Sequence, residues 1–408
     1  MKTSVTRILT IIALLFTTPA WAEDDDRYYL GDDPPSEFYS YDQGDLNSIG
    51  RLIKQEKVPD EMLLPSSSQG IRFLYSSTSG LNPESLVAVS GAVFLPKGGP
   101  PKNGWPLLSW SHGTVGIADK CAPSWDGYPE FHRNYLSHWL EAGFAIVASD
   151  YEGLGVEGTH PYLATKPAAY SNLDAIRAVR SAGFPLSGDV FLLGQSQGAA
   201  AALATAGHAR SYAPEIIVRG AVLTGVPFFS PKALIAVRDA RPRDIVDPQL
   251  GYNFLALSLA QMADPSFSMN DYLSDKARPV AQRISTICNR QMRKVISDEK
   301  LTYNNSFIRS PNSGLEKAFK LMQYPELGLK VPIFIASGAM DKDTPLGMQQ
   351  ALVEKLCDAG SEVHSVVYKD KAHLNTLSHS INDAMEFVQA ARLGKLTDGN
   401  CTGASLLQ

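Results

Sequence analysis

Cysteine is scarce in this chain: there are four in 408 residues, and none forms a C-x-x-C pair. Without that spacing a structural zinc site has no basis, and no metal or other cofactor is expected. No long run of lysine or arginine occurs, and the formal net charge is -5. The electrostatic footprint of a nucleic-acid-binding protein is therefore missing. Beyond residue 22 no segment is long and apolar enough to cross a bilayer, which takes about 20 residues, so no stable membrane anchor is expected. Internal repeats and low-complexity tracts are also lacking, which argues against a solenoid or a disordered spacer. What remains is 44% apolar and 19% charged, the balance of a globular chain with a sizeable core.

The N-terminus carries an address. Lys2 and Arg7 flank the start of a short apolar run, Ile8 to Phe16, and Ala20-Trp21-Ala22 is an A-x-A cleavage site. Residues 1–22 read as a signal peptide, so the mature chain begins at Glu23 and is secreted or periplasmic. An oxidising compartment permits disulfides. Cys121, Cys288, Cys357 and Cys401 allow three pairings. We expect Cys121 with Cys288 and Cys357 with Cys401, the second tying a loose C-terminal tail to a helix.

After an acidic, irregular arm to about residue 45, Ile71–Ser76 and Ser85–Leu95 read as a hairpin around a Gly-Leu-Asn-Pro turn. Strands and helices then alternate: strands at Trp105–Ser109, Phe144–Ser149, Asp189–Leu193 and Ile216–Thr224, helices at Tyr135–Ala142, Ala168–Ser181 and Ala199–Ala209. The alternation resumes with Val331–Ser337, Gln349–Asp358, Glu362–Tyr368 and Ile381–Ala391. This order predicts an α/β fold, a mostly parallel central sheet with helices on both faces. Between Phe228 and Leu329 no strand is legible. Helical stretches at Tyr252–Met262 and Val280–Ile296 are separated by Pro231, Pro242, Pro248, Pro265 and Pro279. Such a length exceeds any ordinary crossover. We read residues 229–325 as an inserted helical cap between two parts of one core, 23–228 and 326–408.

The chemistry concentrates at Gly194-Gln-Ser-Gln-Gly198. An apolar strand enters this G-x-S-x-G motif and a helix of small residues leaves it, the context of a nucleophile elbow. Glycines beside Ser196 remove side chains that would clash in so tight a turn. A serine hydroxyl needs a base to take its proton, and in this arrangement an acid and then a histidine follow in chain order, each after a core strand. Asp341 follows the strand Val331–Ser337, with Asp343 its rival and nearer a helix start. His373 follows the strand Glu362–Tyr368. His364 lies within that strand and His379 on the next helix. Oxyanion donors are expected from the backbone of Gln197 and, after the strand ending at Ser109, from Thr114 or its neighbour Gly113. Asp150 and Glu152, on a glycine-rich loop, read as structural rather than catalytic.

These segments resemble the secretory lipase family of α/β-hydrolases, the yeast lipase A type. The resemblance runs through Phe73-Leu-Tyr-Ser-Ser-Thr, His112-Gly-Thr, Cys121-Ala-Pro-Ser124, Ser149-Asp-Tyr-Glu-Gly-Leu-Gly155, the elbow, the long helical insert and Asp341-Lys-Asp-Thr-Pro345. It implies carboxylic-ester hydrolysis, such as that of glycerides, through a triad of Ser196, Asp341 and His373 beneath a cap. It also supports the two disulfides. The expected partners are small-molecule or lipid esters, with transient contact at a lipid interface. Two other readings share the same machinery or fold: a serine peptidase or amidase, and a non-catalytic binding protein.

Overall fold

The computed structural model describes residues 34–401 and the backbone of residues 406 and 407. The expected signal peptide lies outside the described residues. Ten strands form one sheet: β1 (Leu52–Lys57), β2 (Ser67–Thr78), β3 (Leu86–Pro96), β4 (Trp105–Ser111), β5 (Ala145–Ser149), β6 (Leu186–Gln195), β7 (Val218–Thr224), β8 (Ile333–Gly338), β9 (Val363–Tyr368) and the two-residue β10 (Leu406–Leu407). Their order is β1-β2-β3-β5-β4-β6-β7-β8-β9-β10. The pairs β1/β2, β2/β3 and β3/β5 are antiparallel, and every pair from β5/β4 onward is parallel. This is the mostly parallel α/β sheet that the alternation predicts. The edge strand β1 was not legible: Leu-Ile-Lys-Gln-Glu-Lys has no two-residue alternation, because its last half is solvent-exposed.

Strand residues alternate between two cores, as a pleated sheet requires. Leu107 packs in one cluster under the helices Thr165–Ser181, Gln197–Tyr212 and Leu346–Asp358. The adjacent Leu108 packs in the other, with Trp139 of the helix Glu130–Glu141 and Phe387 of Ile381–Arg392. Both faces of the parallel strands are thus covered, which such sheets need.

Between β7 and β8 the chain makes a largely helical excursion, with helices at Pro231–Ala240, Leu250–Ala263, Arg278–Ala281, Asn289–Asp298, Tyr303–Ser306 and Glu316–Leu321 and two isolated antiparallel bridges, Val246 with Thr302 and Leu273 with Phe307. It has its own apolar cluster, centred on Phe254, Leu257, Met292 and Ile296. The single helix expected over Val280–Ile296 is broken here. Cys288 is extended at φ -80° and ψ 162°, where it meets Cys121, and a new helix starts at Asn289. The disulfides are Cys121–Cys288 and Cys357–Cys401. The second anchors the C-terminal tail to the helix Leu346–Asp358, and Asn400 holds Ser365 of β9 through both of its amide atoms. No described helix is long and apolar enough to cross a membrane.

Candidate active site

The elbow is built by contact between backbones. Strand β6 ends at Gln195, and Ser196 takes φ 59° and ψ -124°, a region side chains other than glycine normally avoid. A Cβ on Gly194 would lie 2.0 Å from the carbonyl oxygen of Gly198, and one on Gly198 would lie 1.9 Å from that of Ser111. Only glycine fits either place. The strained turn is pinned by the Ser196 N–H, which donates to Thr224 O on β7 at 2.9 Å. The helix beginning at Gln197 has first-turn N–H groups with no partner inside the helix, and they carry the positive end of its dipole.

The acid and the imidazole meet. Asp341 follows β8, His373 follows β9, and His373 Nδ1 lies 2.7 Å from Asp341 Oδ2. Both side chains are buried. The backbone N–H groups of Asp343 and Thr344 each donate to Asp341 Oδ1 at 2.8 Å, and Thr344 Oγ1 donates to Oδ2 at 2.9 Å. Gly225 gives the ring its room: a Cβ there would stand 2.8 Å from His373 Cε1. Burial by itself would lower the His373 pKa, but the hydrogen bond and charge of Asp341 outweigh it and hold the pKa above the ordinary imidazole value. With Nδ1–H given to Asp341, Nε2 carries the lone pair, and it has no hydrogen-bond partner among the described residues. Ser196 and His373 line one cleft.

Asp343 does not start the next helix. Gln249 of the excursion donates to its Oδ1, and Arg293 stands 4.0 Å from its Oδ2. It links the acid loop to the helical excursion. His364 bonds Glu362 beside it, and His379 is exposed. Asp150 accepts from Ser90 Oγ and from the N–H and Oγ of Ser124, while Glu152 accepts from Ser79 Oγ and the Gly80 N–H. These bonds occupy the carboxylates in holding loops, despite the burial that pushes Asp150 up to about 6.

The segment His112–Gly116 lies opposite the elbow. Gly113 packs closely on the elbow: a Cβ there would stand 2.8 Å from Gln195 Oε1 and 3.3 Å from Gln195 O. Burial pushes His112 down to about 4, so the ring is neutral with one N–H. Its shorter contact is Nδ1 to Gly113 O at 2.7 Å, against 3.3 Å from Nε2 to Asp150 O, and Nδ1–H is the donor. A trans peptide sets its C=O and the next N–H on opposite sides, so this bond turns the Thr114 N–H away from His112. From the excursion, Asn289 holds the next two carbonyls: its Nδ2 donates to Thr114 O at 3.3 Å and its backbone N–H to Val115 O at 2.7 Å. Thr114 Oγ1 also meets Tyr162 OH at 3.0 Å. On the other side, His160 Nδ1–H donates to Glu152 O, and its Nε2 accepts from Gln197 Nε2 at 3.0 Å. The rings of His112, Tyr151 and His160 stack in sequence.

Residues 130–237 match the family described as secretory lipase. Over 372 residues the chain is 23% identical to lipase A of Moesziomyces aphidis, covering 84% of this chain and 76% of that protein. The fold matches the X-ray structure of Candida antarctica lipase A with a TM-score of 0.72 at 22% identity, over 90% of this chain and 87% of that one. The rice cell wall degrading esterase LipA of Xanthomonas oryzae shares the fold more distantly, with a TM-score of 0.65 at 19% identity over 86% of this chain and all of that one (100%).

Two cavities meet at Ser196. One, of about 180 Å³, runs between the core and the excursion and is walled by Phe229, Leu234, Val237, Leu250, Phe319 and Met322 among others. The other, of about 840 Å³, holds His373 and the His112–Val115 segment. Asn289, Tyr162, His160 and the Gln249–Asp343 contact escaped the sequence reading. Each contact joins separate segments of the chain, and Asn289, Tyr162 and His160 lie outside the motifs quoted above. Among the described residues no group of three or more His, Cys, Asp or Glu could hold a metal ion.

Proposed function

We propose that this protein is an exported serine hydrolase of carboxylic esters, with Ser196 as nucleophile, His373 as general base and acid, and Asp341 as the group that orients His373. The observation that carries this reading is the buried 2.7 Å contact between His373 Nδ1 and Asp341, which leaves a free Nε2 in the cleft that Ser196 lines. His373 Nε2 takes the Ser196 proton as Oγ attacks the ester carbonyl. The N–H groups of Gln197 and Thr114 hold the oxyanion of the tetrahedral intermediate. Collapse expels the alcohol, which receives its proton from His373 Nε2–H, and an acyl group remains on Ser196 Oγ. Water, deprotonated by His373, repeats the attack and releases the carboxylic acid. Asp341 keeps the proton on Nδ1 throughout.

The helical excursion is the cap of this site, and the cavity between it and the core takes the acyl chain. Apolar walls such as Phe229, Leu234 and Phe319 suit acyl esters, glycerides among them. The test is direct. A serine-directed phosphonate should label Ser196 alone, and butyrate esters should be cleaved far faster than matched amides. Labelling at another residue, or amide turnover exceeding ester turnover, would overturn the reading.

A further inference from the structure

We propose that the alcohol half of the substrate is a polyhydroxylated, sugar-like group, held in the larger cleft between the Trp125 and Arg290 walls. This inference rests on the ester-hydrolase reading above and adds the identity of the leaving group.

The direction of the substrate follows from the position of His373. The leaving oxygen receives its proton from His373, so the alcohol must sit on the His373 side of Ser196. His373 lines the cavity of about 840 Å³ and is not among the walls of the cavity of about 180 Å³. The acyl chain therefore enters the smaller cavity, where Phe229, Leu234, Val237 and Phe319 line the wall beside Arg238, Arg241 and Arg243, and the alcohol the larger one. The larger volume falls within the range of sites for whole small molecules, roughly 300 to 1,000 Å³.

The walls of this cleft are of two kinds. Trp125, Tyr128 and Phe131 supply aromatic surface, and Asp126, Arg290 and Gln291 supply charge and hydrogen-bonding capacity. Trp125 is 37% exposed, and Arg290 and Gln291 are exposed, so these side chains are reachable. A sugar ring suits such a mixed surface. Its C–H faces pack on aromatic rings, and each hydroxyl both donates and accepts, so carboxylate, amide and guanidinium are all usable partners. The bridge Cys121–Cys288 joins the two walls: Trp125 follows one half-cystine by four positions and Arg290 follows the other by two.

The experiment compares one acyl group on different alcohols: 6-O-butyryl methyl glucoside, butyl butyrate and methyl butyrate, with purified full-length mature protein. The glucoside ester should show at least about a tenfold higher kcat/KM than butyl butyrate. Trp125→Ala and Arg290→Ala should each cut the ratio of glucoside to methyl ester by about tenfold, through KM. A butyrylated cello-oligosaccharide run beside the glucoside separates a single sugar from a chain of them, and preference for either supports the proposal. A wild-type ratio at or below one, or a ratio unmoved in both variants, overturns it. Methyl butyrate turnover with phosphonate labelling of Ser196 would leave the ester-hydrolase reading standing in that event. Loss of all ester turnover and labelling would instead sink the reading beneath it.

Discussion

Replacing Asp341 by asparagine tests the proposed mechanism at its least redundant atom. Asparagine is the same shape, so the loop between β8 and the helix Leu346–Asp358 should keep its form. The amide can face two ways, and the surroundings choose one. Two backbone N–H groups, of Asp343 and Thr344, point at Oδ1 at 2.8 Å each. They need an acceptor, so the asparagine oxygen takes that place and the NH2 group falls where Oδ2 was. Thr344 Oγ1 can rotate its hydrogen and accept. His373 Nδ1, formerly 2.7 Å from Oδ2, now faces a donor and must give up its own hydrogen. The proton moves to Nε2, and the ring can no longer accept from Ser196. In triads where the tautomer is reversed this way, kcat falls by about 10⁴, or about 5 kcal/mol of transition-state stabilisation. The assay is kcat on methyl butyrate, with a thermal melt to show that the fold persists. A loss smaller than about tenfold in a folded protein would mean that Asp341 does not set the tautomer, and the assignment of roles would fail with it.

Three further outcomes are expected. Ser196→Ala should fold normally and lose at least about a thousandfold in kcat; retained activity or phosphonate labelling would end the triad. His373 must be neutral to accept a proton, so activity should fall as pH drops through its pKa, which Asp341 and Asp343 hold up and Arg293 lowers. Asp343→Asn removes one of the two raising charges, so the acid limb of the kcat/KM profile should move to lower pH, and an unmoved or upward limb would contradict the field read from the structure. Asn289→Ala frees the carbonyl of Thr114 while keeping the backbone bond to Val115 O, and should lower kcat by about tenfold with little change in melting temperature, whereas an unchanged kcat would show that the oxyanion segment does not need the Asn289 side chain.

Much of the fold was legible because strand and helix leave different periods in a sequence. Ala145–Ser149, Ile333–Gly338 and Val363–Tyr368 are buried apolar runs of the length of a strand, and glycines or aspartates end them. The absence of clear strands after Phe228 was also readable, and the prolines there break the segment into short helical pieces. Positions at the ends of core strands follow from that map, which is why Ser196, Asp341 and His373 could be singled out together. Contacts across the excursion could not be. Asn289 is one polar residue among many on the sequence, and only the meeting of its helix with Val115 gives it a partner. Asp343 misled for a related reason: two residues before a proline it resembles a helix cap, but Gln249, far earlier in the chain, takes its oxygen. The break inside Val280–Ile296 has no proline to announce it and arises where Cys288 turns to reach Cys121.

That bridge also sets a clock. Cys121 is made 167 residues before Cys288, and at roughly 5 to 20 residues per second of synthesis the delay is on the order of 10 to 30 seconds. In that interval the strands from β1 to β7 and the elbow can assemble, yet Asn289 does not exist and the Thr114–Val115 carbonyls have no partner from the excursion. Completion of the proposed oxyanion site is thus one of the last events in the life of the nascent chain. The acid and the histidine, at positions 341 and 373, arrive later still. A newborn chain carries the proposed nucleophile early, and the proposed triad is complete only when its far end has been made and folded back.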